Sequence, residues 1–312
     1  MMIIGGMTST ALTQPLAAGA LRLSDWGLIR ARGADAAKFL HGQLTQDIEH
    51  LTRSEARLAG YCSAKGRLLA SFVVWRTSDE DILLACSADL LAPTLKRLSM
   101  FVLRAQCKLS DASAELSIHG LVNAGAWLGD AAPAAPWGMA AKGDATVIRL
   151  PDADGTLRHL LVQPSTAEAP ALPPVSDSDW ARLEARSGVA RITAATVEQF
   201  VPQMVNLELV GGVNFKKGCY PGQEVVARSQ YRGTLKRRAM LFTGADARPG
   251  QEVFHSADPG QPAGRVANAG GNAALVEVKL AALDGGSLHL GAADGPVLAP
   301  QGLPYALPAE TA

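Results

Sequence analysis

Short amphipathic helices and hydrophobic strands alternate irregularly along these 312 residues, which predicts an α+β fold rather than a doubly wound sheet. The last quarter of the chain turns to short apolar runs separated by glycines, the pattern of a small antiparallel barrel. In mid-chain, a stretch rich in Pro, Ala and Ser over 164–179 reads as a linker. The length exceeds what one small core organises, so the sequence predicts a loose tail over 1–20, an α+β body over 21–235 in two subdomains joined near 164–179, and a C-terminal β-barrel over 236–312.

Each element has a local warrant. Residues 21–30 alternate in part and read as strands around a turn at Gly27. Asp35 suits a helix N-cap, and Phe39, Leu40, Leu44 and Ile48 follow at helical spacing on one face. Residues 58–63 and 68–76 pair as a hairpin around Lys65-Gly66, and 81–86 adds a strand. A helix over 88–100 turns Leu90, Leu91, Leu95 and Leu98 inward, and 101–109 returns as a strand. A second cycle gives a strand over 116–120, a short helix over 124–128, and a hairpin from 146–150 to 157–163 across Asp152-Ala153-Asp154-Gly155. Ser178 or Asp179 caps a helix over 180–187 that stops at Gly188. Barrel strands are expected over 239–243, 252–255, 264–267 and 274–279.

Composition narrows the function classes. Lysine plus arginine equals aspartate plus glutamate, 29 each, so no global charge draws the chain to nucleic acid or an anionic membrane. The four cysteines, Cys62, Cys86, Cys107 and Cys219, lack CxxC spacing, and no histidine pair has metal spacing, so no metal site is expected. So few cysteines in so long a chain give no disulfide framework and suggest a reducing, cytoplasmic compartment. The apolar start Met1-Met2-Ile3-Ile4 breaks at Gly5-Gly6 with no basic residue ahead, unlike a secretory signal, and no stretch reaches the ~18 apolar residues that span a bilayer. The basic run 228–238 is read as a solvated loop, with a local RNA patch as the other reading.

The most informative segment is Lys216-Lys217-Gly218-Cys219-Tyr220-Pro221-Gly222-Gln223-Glu224. Pro221 suits the first position of a helix and Glu224 its first turn, which would set Cys219 just before a helix N-terminus and beside two cations. That setting favours a thiolate. The other reading is a small buried cysteine. Gly218 permits a tight turn or close approach to a ligand. Tyr220 can stack on a ring or pack in the core. Gln223 and Glu224 can meet the donors and acceptors of a heterocycle. Arg228 can meet an anionic tail or pair with Glu224 four residues back. Lys216 and Lys217 are either solvated or hold the thiolate.

This segment resembles the motif of the YgfZ-type folate-binding proteins, relatives of the glycine-cleavage T-protein that assist iron–sulfur cluster assembly. Lys217, Gly218, Cys219, Tyr220, Gly222, Gln223 and Glu224 all match its Lys-Gly-Cys-aromatic-x-Gly-Gln-Glu pattern. The likeness extends upstream through Phe200-Val201-Pro202-Gln203 and Gly211-Gly212-Val213-Asn214-Phe215, and downstream through Ala227-Arg228 and Tyr231-Arg232-Gly233. Near the N-terminus, Phe39-Leu40-His41-Gly42-Gln43-Leu44-Thr45-Gln46-Asp47 and Tyr61-Cys62-Ser63-Ala64-Lys65-Gly66-Arg67-Leu68 also fit. The resemblance spans about residues 21–300. It implies a T-protein-like body around a folate cavity, covered by a C-terminal β-barrel. It further implies that tetrahydrofolate or another reduced folate is the cofactor, bound with help from Lys217, Gly218, Tyr220, Gly222, Gln223, Glu224 and Arg228, and that Cys219 is the functional thiol. The implied partners are iron–sulfur assembly proteins or client iron–sulfur enzymes, including those that modify tRNA, with no direct nucleic-acid or membrane contact and a monomeric chain.

Two departures qualify the chemistry. Where the T-protein carries two aspartates after the glycine turn, this chain has Ala70 and Ser71, neither of which can act as a carboxylate base. Aminomethyl or methyl transfer to tetrahydrofolate, or demethylation, is therefore the alternative, with an accessory, non-enzymatic role ahead of it. Where the superfamily has a pterin-contacting glutamate, Arg186 stands before Ser187-Gly188, and Glu184 falls toward the opposite helix face. The sequence also admits a third reading, a scaffold whose partner docks on the Cys219 loop.

Overall fold

The computed structural model describes residues 16–231, 235–244 and 246–308. Most of the expected tail, and Arg232-Gly233 of the family motif, lie outside the described residues. In chain order the elements are β1 (Gly19–Arg22), β2 (Trp26–Arg32), α1 (Ala36–His41), β3 (Ala56–Cys62), β4 (Leu68–Ser78), β5 (Asp81–Ser87), α2 (Ala88–Ser99), β6 (Lys108–Asp111), β7 (Leu116–Val122), α3 (Gly125–Leu128), β8 (Met139–Lys142), β9 (Ala145–Ala153), β10 (Thr156–Pro164), α4 (Asp177–Arg186) and α5 (Gln223–Tyr231). Six further strands follow: β11 (Arg237–Thr243), β12 (Glu252–His255), β13 (Asp258–Gly270), β14 (Ala273–Lys279), β15 (Leu288–Leu290) and β16 (Val297–Gln301).

The strands form two five-stranded sheets, ordered β3-β4-β5-β2-β6 and β1-β7-β10-β9-β8, and a closed barrel β11-β14-β13-β12-β15-β16. All ladders are antiparallel, which gives the expected α+β fold with a C-terminal barrel. The two open sheets face each other across one apolar layer. Leu28, Val73, Trp75 and Ala85 come from the first sheet, Ile118, Leu150, Leu160 and Val162 from the second, and Trp180 and Leu183 from α4. The other face of the first sheet packs on α1, α2 and the barrel through Leu40, Phe72, Leu84, Leu98, Ala239 and Leu275.

Several expectations shift. Gly27 is not a turn but lies inside β2, where a Cβ would fall 2.4 Å from Leu91 Cδ1, so the glycine lets α2 approach the strand. The helix begun at Ala36 ends at His41, and Leu44 and Ile48 are buried from the loop beyond it. Asp35 does not cap it: its carboxylate accepts the Gln106 N–H at 2.7 Å. The expected strand over 101–109 is mostly irregular, and only Lys108–Asp111 pairs, with β2. α4 is capped by Ser176 rather than Ser178 or Asp179. The Ser176 Oγ accepts the Asp179 N–H at 3.0 Å, a bond worth about 1 kcal/mol at such sites.

Candidate functional site

Two features of the structure can carry function: a cleft between the open sheets, and the Cys219 loop beside α1. The cleft is a narrow slot of about 40 Å³ between walls that include Trp26, Ser71, Trp137, Arg158, Glu184 and Arg191. Leu58, Phe72, Val73 and Leu150 make the rest of its surface largely apolar. This combination of flat apolar walls and a few polar groups suits a heterocyclic ligand.

The polar groups are held by the fold. Arg191 reaches Glu184 at 3.2 Å and the Asp25 carboxylate at 2.5 Å, and its guanidinium lies 5.0 Å from the Trp26 ring centroid. Burial works against the charge on Arg191, but Glu184 and Asp25 outweigh it and hold its proton above the ordinary range. Arg158 donates to the Pro151 carbonyl at 2.9 Å and lies over Trp180; burial pushes it down to about 10, so it stays charged at neutral pH. Two buried donors here, Trp26 Nε1 and Arg191 Nε, have no hydrogen-bond partner. Unpaired buried donors are costly unless a ligand supplies acceptors.

Glu184 is the one carboxylate among the cleft's lining residues. Sequence reasoning set Glu184 aside and assigned the pterin-facing position to Arg186. In the structure Glu184 lines the cleft and Arg186 does not. Arg186 turns away and binds Asp154 with its Nη2 at 2.7 Å. Ser71, at a T-protein aspartate position, also faces the cleft, where its Oγ accepts the Ile192 N–H at 2.9 Å; Ala70 is buried.

None of the residues singled out around Cys219 lines the cleft. They gather against α1 and the β3–β4 hairpin. Gly222 has φ +79, and a Cβ there would lie 2.3 Å from Ser63 O and 2.7 Å from Gly66 Cα, so loop and hairpin tip touch backbone to backbone. Gly66, at φ +71, would place a Cβ 2.7 Å from Val225 Cβ. Lys217 is not solvated. Its Nζ donates to the carbonyls of His41 (2.5 Å) and Leu44 (3.0 Å), capping the end of α1, and lies 4.7 Å from the Tyr220 ring. Burial pushes Lys217 down to about 8, while Asp47, Cys219 and Glu49 pull it back up. Tyr220 is buried, which raises its phenol.

Cys219 itself is exposed. The other three cysteines differ: burial pushes Cys62 and Cys86 up to about 12 and Cys107 up to about 11. The expected position just before a helix N-terminus is not realised, because α5 begins at Gln223 and Pro221 precedes its first turn. Gly218 has no left-handed backbone, and a methyl there would meet only His41 Nε2, at 3.7 Å. His41 Nδ1 lies 3.1 Å from Asp47 Oδ1. Burial tends to raise Asp47, but His50 and His41 outweigh it and hold its carboxyl below the ordinary range. With Nδ1 engaged by Asp47, His41 presents Nε2 to the loop for hydrogen bonding. Its spacing from Cys219 in sequence gives no hint of this.

Glu224 and Arg228 lie on the exposed side of α5, where they flank a shallow groove with Ala227 and Tyr231, and no ion pair joins them. The helix is tied down by Val226, which is buried and whose carbonyl accepts from Gln203 Nε2 at 2.8 Å. Among the described residues, no helix is long and apolar enough to cross a membrane.

No family model matches the chain. It is 33% identical over 254 residues to the tRNA-modifying protein YgfZ of Edwardsiella ictaluri, covering 73% of this chain and 72% of that protein. It is 29% identical over 240 residues to the tRNA-modifying protein YgfZ of Escherichia coli, with the same coverage. Among solved structures, it is similar to the glycine cleavage system aminomethyltransferase T of Bartonella henselae. The TM-score is 0.67 at 18% identity, covering 91% of this chain and 84% of that one. At that identity the likeness concerns the fold.

Proposed function

The chain belongs to the family of the tRNA-modifying protein YgfZ, and from that premise we propose that it is a folate-binding accessory protein that supports assembly or repair of iron–sulfur enzymes, tRNA-modifying ones among them, through Cys219. The observation that carries the reading is the contrast among the four thiols. Cys62 and Cys86 are buried and Cys107 half-buried, all three held protonated, while Cys219 stands exposed on a loop braced by Lys217 and Gly222. One cysteine cannot hold a cluster alone, so its role is a transient ligand, a redox thiol or a partner contact, with the cluster as cargo.

We infer that a reduced folate binds at the cleft rather than at the loop. Trp26 Nε1 and Arg191 Nε offer unused donors to its acceptor atoms, Glu184 offers a carboxylate to its N–H groups, and Trp137, Phe72 and Leu150 offer apolar walls. When bound, the folate supplies a carrier for one-carbon units. Glu184, fixed by Arg191, orients the heterocycle, and the apolar walls exclude water from it. One-carbon transfer as the main activity is disfavoured by Ser71 on the cleft wall and by the buried Ala70 beside it, neither of which can act as a carboxylate base.

The test is cellular. The gene is deleted in its host, and iron–sulfur enzyme activity is measured under oxidative stress with wild type or Cys219→Ala restored at equal protein level. Rescue by wild type alone supports the proposal. Equal rescue makes Cys219 structural, and an unaffected deletion strain removes the iron–sulfur reading.

A further inference from the structure

The outer face of the second sheet carries a cavity that the folate and thiol assignments leave unused. Side chains alternate along a strand. Ile118 and Leu160 face the cleft side, while His119 and Leu161 point the other way. There β1, β7 and the segment 165–174 line a cavity of about 420 Å³, open to solvent on one side. Residues 173–175 seal the edge of β1: Ala20 donates to the Pro173 carbonyl and Val175 to the Ala20 carbonyl, both at 2.9 Å.

The polar lining is one-sided in charge. Arg22 and His119 are direct cross-strand partners in the β1–β7 ladder. Among the described residues, the Arg22 side chain makes no hydrogen bond or ion pair, and no carboxylate lines the cavity. Of the acids near these residues in sequence, Asp25 is bound by Arg191, Glu115 by Arg30, and Glu168 is exposed and does not line the cavity. His119 is 6% exposed, and its buried Nδ1 has no partner. Ser117 adds a hydroxyl, and Pro170, Leu172 and Pro174 supply an apolar roof. An unpaired guanidinium, an unsatisfied buried imidazole and no competing acid call for an anion. The planar fork of a single arginine matches a carboxylate, and the proline–leucine roof suits a small apolar body.

We propose that this cavity binds a small organic carboxylate, with Arg22 and His119 on the carboxylate and the 165–174 segment over its body. Without ligand, burial and then Arg22 lower the His119 pKa. A bound carboxylate would offset Arg22 and raise it, a change that simple packing would not produce.

The test uses the purified full-length chain, benzoate as probe and benzamide as its neutral isostere. The His119 Cε1–H resonance is followed by NMR and identified by its loss in His119→Gln. Benzoate is expected to shift it saturably and raise its pKa, while benzamide does neither. Arg22→Gln, at an exposed residue with no partner, is expected to keep the wild-type Tm and weaken benzoate by about tenfold, as the loss of a charge-assisted pair implies. No saturable shift, an equal response to benzamide, or undiminished binding by Arg22→Gln at wild-type Tm would overturn the proposal.

Discussion

Gly222→Ala isolates the contact that positions the Cys219 loop. The backbone there has φ +79, a region that costs an L-residue roughly 1–2 kcal/mol. A methyl would also sit 2.3 Å from Ser63 O and 2.7 Å from both Gly66 Cα and Gly66 N. These are backbone atoms of a paired hairpin, so no side-chain rotation relieves the clash; loop and hairpin must separate by about 1 Å, a strain of roughly 1–3 kcal/mol. The two terms sum to about 2–5 kcal/mol. In a chain of this size each kcal/mol lowers Tm by roughly 2–4 °C, so a fall of at least about 4 °C is expected by calorimetry. Gly218→Ala is the control, because its methyl meets only His41 Nε2 at ordinary contact distance, and it should melt with wild type. A Gly222→Ala protein that melts with wild type, or a Gly218→Ala protein that falls as far, would refute the assignment of Gly222 as the backbone contact between loop and hairpin.

Alkylation of the native protein with iodoacetamide at neutral pH should modify Cys219 alone, and denaturant should release the other three thiols, as mass spectrometry would show. Rapid native modification of Cys62 or Cys86 would contradict their burial. Acid should destabilise the fold through His159, which is buried with both ring nitrogens unpartnered and, through that burial, has its pKa pushed down to about 4. Above pH ~6.5 the ring is neutral in both states and contributes nothing; as pH falls toward 4 only the unfolded chain takes up the proton, which removes about 3 kcal/mol. His159→Leu should therefore flatten the loss of denaturant stability between those pH values, and an unchanged slope would exclude His159 as the cause.

The local elements were legible wherever one short-range rule governed them. The β3–β4 hairpin followed from Lys65-Gly66 between apolar runs, and α2 from leucines at helical spacing. The strand expected over 101–109 failed because Met100, Phe101 and Leu103 are exposed rather than buried, so their apolar character did not report pairing. The thiol loop was visible as a contiguous motif, although its bracing by Lys217 on α1 depends on partners over 170 positions away. The cleft was invisible for the same reason. Trp26, Ser71, Glu184 and Arg191 come from distant segments, and only sheet-on-sheet packing brings them together. Glu184 was set aside because Arg186 held the aligned position, and no local pattern reveals that Asp154 draws Arg186 away.

The most direct measurement is a calorimetric titration of tetrahydrofolate under anaerobic conditions into wild type, Glu184→Gln and Cys219→Ala, with Tm recorded for each. The separation of cleft and thiol predicts that Cys219→Ala binds as wild type does, while Glu184→Gln, which loses a charged partner for the heterocycle, binds about tenfold or more weakly. Undiminished binding by a folded Glu184→Gln protein, or loss of binding in Cys219→Ala, would place the folate on the loop and contradict the account.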